Sequence, residues 1–407
     1  MQRDQLCLQL LLFHVRDVVF RWRTSGRYRL ILAIPLIIYF FWFMAVVTRG
    51  RFKSEQDKFD NSFNNETTKK VPIAFENQQI CALDTVDLLI IIISSTLNFH
   101  QRQAIRETWA SMPDLFTIHA QRLFIIGYQT GHNFEHELMQ EAIQERDLLY
   151  LTIDDRLATL KEIYAYLWLK NHCGYVIYTF KTNDELFVNT FLLHEIVGEL
   201  KKNNRENSNR NLYGAQLDSM FQAKDGRSLK RFLFGRIVEA EEPERNDLNS
   251  QFYLSRDEYS KDLYPSYCSG TSSLRIFIID ASKKNFLLVQ SGFGYLMDST
   301  TRNLLALEAF KVRNQLRFAD IFITGIIPER LNFTCNQLPL TILQGTVKKC
   351  SKLILQIPRN VNESASTPPV LVCSLSNHLT ESSFNDYHNL WDTLKENYSN
   401  RIVTMTS

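Results

Sequence analysis

Three groups of residues in this chain have the types and spacing for chemistry. The first is Asn183-Asp184-Glu185, which follows the apolar segment Gly174 to Phe180. Neighbouring carboxylates offer hard oxygen donors of the kind Mg²⁺ or Mn²⁺ takes. At the carboxyl end of a buried strand they stand where parallel sheets bind nucleotides. The plainer alternative is a polar strand end whose carboxylates are solvated or cap a helix beginning near Asn189. The second group is Arg102 and Arg106, which share one helix face at i and i+4. Two guanidiniums so placed can hold a phosphate or an acidic partner, or form a salt bridge with a neighbour such as Glu107. The third is His132-Asn133-Phe134-Glu135-His136, which fits H-x-x-E-H, a zinc-binding pattern whose glutamate activates water. Leu138, Met139, Ala142 and Ile143 continue an amphipathic helix from that point, which turns the histidines toward solvent or the first turn. No P-loop, G-x-G-x-x-G or G-x-S-x-G pattern occurs.

The elements that must position these residues are legible from hydrophobic periodicity. Val86 to Ser95 (VDLLIIIISS) is a continuous aliphatic run, as expected of a strand buried on both faces. Arg122 to Tyr128, Leu148 to Ile153 and Gly174 to Phe180 repeat the pattern. Between them Leu160, Ile163, Tyr164 and Leu167 recur at helical spacing, as do Leu193, Ile196, Val197 and Leu200 after the last strand. Such alternation predicts an α/β fold with a largely parallel central sheet flanked by helices. In Arg102 to Trp109, Ile105 and Trp109 are spaced to face that sheet. The tail from Gln344 contains a turn and a short strand around STPPVLVCSL. Tyr387, Trp391, Leu394 and Tyr398 make a stripe on a final helix there, which reads as a packing extension closed by Cys350 or Cys373.

Leu30 to Val47 carries eighteen residues without a charge. At about 1.5 Å per residue that run is long enough to cross a bilayer core of about 30 Å. No small-x-small cleavage site follows, so an uncleaved transmembrane anchor is expected, with a slight excess of Arg and Lys on its N-terminal side. Cys7 precedes the anchor, and Cys81, Cys173, Cys268, Cys335, Cys350 and Cys373 follow it, an even number suited to an oxidising compartment. Their pairing cannot be read from spacing. The sequons at Asn65, Asn332, Asn362 and Asn397 all lie on that same side, as candidate glycosylation sites. A net charge of +2 leaves no concentrated basic face, and nucleic acid is not expected as a partner. The expected layout is a cytoplasmic tail over residues 1–29, a transmembrane signal-anchor over 30–47 and a polar stem over 48–80. A luminal domain over 81–343 and a C-terminal extension over 344–407 follow.

Four segments, in order, carry a family resemblance. They are RQAIRETW (Arg102 to Trp109), FKTNDELFVN (Phe180 to Asn189), YPSYCSG (Tyr264 to Gly270) and ADIFITG (Ala319 to Gly325). Together they resemble the beta-1,3-galactosyltransferase and beta-1,3-N-acetylglucosaminyltransferase family over roughly Val86 to Ile327. The resemblance implies a glycosyltransferase-A type fold and a single-pass type II protein of the Golgi membrane with its catalytic domain in the lumen. It further implies transfer of a hexose or N-acetylhexosamine from a UDP-sugar to a glycan on a glycoprotein or glycolipid, in beta-1,3 linkage with inversion. Homo-oligomers, or hetero-oligomers with other glycosyltransferases, belong to the same expectation.

By that resemblance Asn183, Asp184 and Glu185 occupy a position that is a run of three aspartates in the family. Glu185 stands at the metal-ligand position for Mn²⁺ or Mg²⁺, while Asn183 gives up a charge. Arg102, Arg106, Asn183 and Asp184 would bind the donor, and Asp320 would be the catalytic base, with its preceding glutamate replaced by Ala319. In YPSYCSG the following glycine-rich pair is here Thr271-Ser272. The altered triplet keeps open an alternative of another class: a catalytically silent paralogue that binds glycan or nucleotide and acts as a chaperone or partner.

Overall fold

The structure is a computed structural model, and it describes residues 71–81, 86–111, 118–129, 135–203, 232–250, 252–269, 294–338, 341–345, 350, 370–375 and 381–406. The apolar run Leu30 to Val47, the stem up to Lys70, the sequons at Asn65 and Asn362, His132 and Thr271-Ser272 lie outside them. Among the described residues no helix is long and apolar enough to cross a membrane.

An eight-stranded sheet organises residues 71–338. Strand β1 (Ile73–Phe75) is followed by β2 (Leu88–Ile93), helix α1 (Phe99–Glu107) and β3 (Ala120–Tyr128). Helix α2 (Glu135–Glu145), β4 (Leu148–Asp154), α3 (Ala158–His172) and β5 (Tyr178–Asn183) come next. After β6 (Leu186–Val188) and α4 (Thr190–Asn203) come β7 (Leu233–Gly235), β8 (Ile237–Val238), β9 (Tyr267–Cys268), β10 (Tyr295–Asp298) and α5 (Ser299–Lys311). The sheet order is β1-β4-β3-β2-β5-β10-β7, closed by β11 (Asn336–Gln337). Strands β4, β3, β2 and β5 run parallel, β1 and β10 antiparallel to their neighbours, so the largely parallel α/β sheet expected from periodicity is present. Five of the six β2 residues are buried, as a strand covered on both faces requires.

Strand β5 begins later than its apolar run. Tyr175 and Ile177 are exposed after the turn at Gly174, and the strand runs through Lys181 to Asn183. Asp184 and Glu185 therefore form the link from β5 to β6. Helix α4 starts near Asn189 as expected, but the capping oxygen is Asn189 Oδ1, which accepts from the Leu192 backbone N–H at 3.2 Å, while Asp184 turns to Ser94 and Asn98. Its stripe Leu193, Ile196, Val197 and Leu200 is buried, as is His194.

Helix α3 departs from the simple stripe. Leu160 and Tyr164 are only half-buried, whereas Lys161, Glu162, Ala165, Tyr166, Trp168 and Leu169 are buried with Ile163. The helix lies against β3, β4 and α5, so most of its circumference is covered and a one-sided amphipathic pattern does not describe it. Met139 and Ile143 of α2 are likewise exposed, and only Leu138 and Ala142 of the expected stripe enter the core.

The tail is built into the core. Strand β12 (Thr341–Gly345) pairs with β13 (Val370–Leu375), and β13 pairs antiparallel with β6, Cys373 opposite Phe187. Helix α7 (Glu381–Thr406) follows, the label α6 being kept for Ile327–Arg330. Trp391 stacks on Phe191 at 5.1 Å and Tyr398 at 4.3 Å. The six cysteines pair as Cys81–Cys173, Cys268–Cys335 and Cys350–Cys373. Cross-links over loops of this length are each worth about 2–4 kcal/mol by restricting the unfolded chain.

Candidate active site

The parallel strands reverse their order of addition at β2. Strands β3 and β4 extend the sheet on one side of it and β5 on the other. The crevice beyond the carboxyl ends of β2 and β5 is the topological switch point where such sheets bind ligands. Asp184 closes it from the β5 side. Its Oδ2 accepts from Ser94 Oγ at 2.7 Å and from Asn98 Nδ2 at 2.9 Å, both from the segment after β2. Burial pushes the Asp184 carboxyl above its ordinary range, against the pull of those two hydrogen bonds. Lys161 of α3 reaches the same crevice, donating to the Ser94 carbonyl at 3.0 Å and to Asp155 Oδ1 at 2.8 Å.

The three members of the triplet thus have three different surroundings. Asp184 is 4 % exposed and turned inward, Asn183 is half-buried, and Glu185 is exposed at the tip of the link between the strands. Tyr387 of α7 packs edge-on against Phe187 at 5.6 Å, and its hydroxyl is raised by burial and by the nearby Asp184 and Glu185 charges. The tail therefore borders the triplet.

A second cluster lies beneath the first. Lys181 of β5, fully buried, holds its Nζ 3.3 Å from Asp320 Oδ1 and 3.5 Å from Glu162 Oε2. Burial alone would lower the Lys181 ammonium, but the Glu162 and Asp320 charges outweigh it and hold it above its ordinary value. Burial likewise pushes the Glu162 carboxyl up, Lys181 opposing. Tyr166 donates to Glu162 Oε1 at 2.7 Å, and its hydroxyl lies 3.2 Å from that of Tyr295, which pairs with Lys181 across β5 and β10. Gly294, just before β10, has φ of +91° and a position where a Cβ would meet the Lys181 carbonyl oxygen at 2.4 Å. Only glycine lets the backbone pass so close to the lysine strand.

Asp320 does not cap a helix through its side chain. It has helical dihedrals and leads into a π-helix over Ile321–Ile326, a rare form that recurs at functional sites. That segment is clamped to YPSYCSG: Thr324 Oγ1 donates to the Cys268 carbonyl and accepts from the Cys268 N–H, each at 2.9 Å. Gly325 completes the contact, since a Cβ there would stand 3.0 Å from that of Tyr267. Two of the four motif segments are therefore one packed unit.

The arginines behave otherwise than a donor-binding role requires. Arg102, 1 % exposed, makes a two-pronged ion pair with Glu141 at 2.7 and 2.6 Å. Arg106 does the same with Asp147 at 2.9 and 2.7 Å and adds Glu141 at 2.8 Å. The salt-bridge alternative holds, but with partners on α2 and before β4 instead of Glu107. Both guanidiniums fasten α1 to its neighbours, and Arg102 also donates to Ser94 Oγ at 3.2 Å and to the Ser95 carbonyl, beside Asp184. Ile105 and Trp109 are buried as expected, Trp109 just past the helix end.

The zinc pattern does not assemble. His136 is exposed, His132 lies outside the described residues, and among the described residues no group of three His, Cys, Asp or Glu could hold a metal. That last fact also defines how a divalent ion would fit the switch point. With Asp184 committed to Ser94 and Asn98, the site does not fit an ion caged by protein alone. A Mg²⁺ or Mn²⁺ there would have Glu185 as its protein carboxylate and would take its remaining oxygen ligands from a nucleotide and water. Of the sequons within the described residues, Asn332 is exposed at a left-handed turn with φ of 56°, and Asn397 is exposed on α7.

Sequence reasoning missed Ser94, Asn98, Lys161 and Glu162. A lysine and a glutamate side by side within an otherwise apolar helix were the available signal for the last two.

The comparisons with known proteins fall on this same frame. Residues 100–279 match the family model described as galactosyltransferase. Over those residues the chain is similar to that family. It is 27% identical over 217 residues to beta-1,3-galactosyltransferase 1 of Homo sapiens, covering 52% of this chain and 59% of that protein. It is 26% identical over 205 residues to beta-1,3-galactosyltransferase 2 of Mus musculus, covering 49% and 42%. Against beta-1,3-galactosyltransferase 5 of Mus musculus it is 26% identical over 220 residues, covering 51% and 63%. The chain spans about half the length of the curated relatives it matches. The matched residues take in the triplet, and Asp320 lies beyond their end.

Proposed function

We propose that this chain is a glycosyltransferase of the glycosyltransferase-A type. It moves a hexose or N-acetylhexosamine from a UDP-sugar to a glycan hydroxyl in beta-1,3 linkage, on the luminal face of the Golgi membrane, as a type II protein anchored by Leu30 to Val47. The observation that supports this reading is that Lys181 ties the Asp184 end of β5 to Asp320. It lies three residues before the Asp184 that closes the nucleotide crevice, and its ammonium contacts Asp320 at 3.3 Å. The donor would lie across the ends of β2 and β5. A divalent ion at Glu185 would neutralise charge on the diphosphate oxygens. Asp320 removes the proton of the acceptor hydroxyl while the hydroxyl oxygen attacks the anomeric carbon in line. The bond from that carbon to the diphosphate breaks with its electron pair leaving on the diphosphate, and the sugar inverts.

The test is transfer by the purified protein against a panel of UDP-sugars and glycan acceptors. A base acts on the acceptor proton and not on donor affinity, so Asp320→Asn should cut turnover by about a hundredfold or more while UDP-sugar binding stays within about twofold. Equal turnover by wild type and variant removes Asp320 from the chemistry.

A silent paralogue has one specific observation in its favour. Asp320 is 2 % exposed and already engaged by Lys181, which suits a structural ion pair as well as a base. Glycan or nucleotide binding without transfer over the whole panel would decide for that second reading.

A further inference from the structure

Asp320 does not meet its lysine alone. Ala319 beside it carries no charge, and the second carboxylate in the cluster comes from a different element, Glu162 on α3, 1 % exposed. The two carboxylates share one ammonium in a dry interior, with the buried Arg302 guanidinium acting on Tyr166 beside them. The cluster is held in a fixed geometry: Tyr166 donates to Glu162, the single Thr324 hydroxyl proton is shared between the Cys268 and Asp320 carbonyls at 2.9 and 2.6 Å, and Lys181 spans the gap between the carboxylates.

We infer that Glu162 is a positioning residue for the transfer reaction, sharing Lys181 with Asp320 so that the Asp320 carboxylate is held in place for the acceptor's proton. This rests on the reading of Asp320 as the base. The physical reason is geometric. An ammonium held by carboxylates from two different elements is fixed in position, and Lys181 in turn fixes the Asp320 carboxylate through their 3.3 Å contact. Among the described residues, Glu162 and Tyr166 from α3 and Tyr267 from β9 surround this pair, and both tyrosines are kept neutral by burial.

Glu162→Gln tests this, because the amide still accepts the Tyr166 hydrogen bond and fills the same volume while the charge is gone. The expected result is a fall in kcat of about tenfold with an unchanged KM for the donor. Glu162→Asp, which restores the charge, should return kcat to within about twofold of wild type. Far-ultraviolet circular dichroism and the thermal midpoint check that both variants fold. If Glu162→Gln unfolds, the comparison is made between Glu162→Asp and wild type, and a kcat lowered about tenfold in folded Glu162→Asp overturns the inference. Wild-type kcat in Glu162→Gln, with Asp320→Asn slow, overturns this inference alone. Asp320→Asn as fast as wild type, or no transfer by wild type, overturns the transferase reading and this inference together.

Discussion

At the residue scale, neighbouring carboxylates in one short link are divided between two tasks. Asp184 is spent on joining β5 to the segment after β2, through Ser94 and Asn98, and Glu185 is left at the surface. That division is what a site needs if an ion is to be supplied mainly by its nucleotide. Glu185→Gln is expected to abolish the Mn²⁺-dependent part of UDP binding in a calorimetric titration, while the thermal midpoint moves by no more than about a degree. An exposed carboxylate at a strand link contributes little to the core, and surface substitutions cost about 0.5 kcal/mol or less. Equal Mn²⁺ dependence in wild type and variant would take the ion away from Glu185. The motif made the triplet's position legible but not this division, because the partners that turn Asp184 inward lie about ninety residues away in sequence. The same distance hid the fate of Arg102 and Arg106, whose guanidiniums meet Glu141 and Asp147 from later elements.

At the element scale, what could be read was what the backbone of a parallel sheet demands. Strands covered on both faces must be apolar throughout, so Leu88 to Ile93 announced itself, and α4 showed the stripe Leu193, Ile196, Val197 and Leu200, although Phe191, Leu192 and His194 are buried as well. Helix α3 was harder, since a helix covered almost all round hides charged residues among apolar ones, and its Lys161 and Glu162 are paid for by partners on other elements. Helix α4 carries a further consequence. His194 is buried within it, and burial holds its imidazole well below the ordinary 6.5, at about 3. The folded protein then keeps the ring neutral at a pH where the unfolded chain protonates it. Because the folded value is the lower one, stability is full above pH 6.5 and is lost as pH falls from 6.5 toward 3. The loss from this group is about 1.4 kcal/mol for each pH unit in that window. Denaturant midpoints measured from pH 7 to pH 4 should fall along that slope in wild type and more gently in His194→Gln. Parallel slopes would show that His194 does not set the acid sensitivity.

At the scale of the whole molecule, the least expected feature is how far the tail enters the structure. Its residues were legible as a short strand and an amphipathic helix, but a stripe of Tyr387, Trp391, Leu394 and Tyr398 does not say what it packs against. The answer is the strand next to the triplet: β13 pairs with β6, and α7 lays Tyr387 on Phe187 and Trp391 on Phe191. Phe187, Phe191, Trp391 and Tyr398 belong to the same buried cluster as the central strands. An appended module would unfold by itself, whereas an element that shares the core must take β6 with it. Trp391, 1 % exposed, is the residue to remove. Truncating a buried tryptophan costs about 3–5 kcal/mol through lost contacts and the cavity left behind. Trp391→Ala is therefore expected to lower the unfolding free energy by that amount in a single denaturant transition. Amide exchange should rise together in α7, β13 and β6, carrying the Asp184-Glu185 link with them. If exchange rises in α7 alone while β6 keeps its protection, the tail is a separable extension, and the triplet depends on the parallel sheet without it.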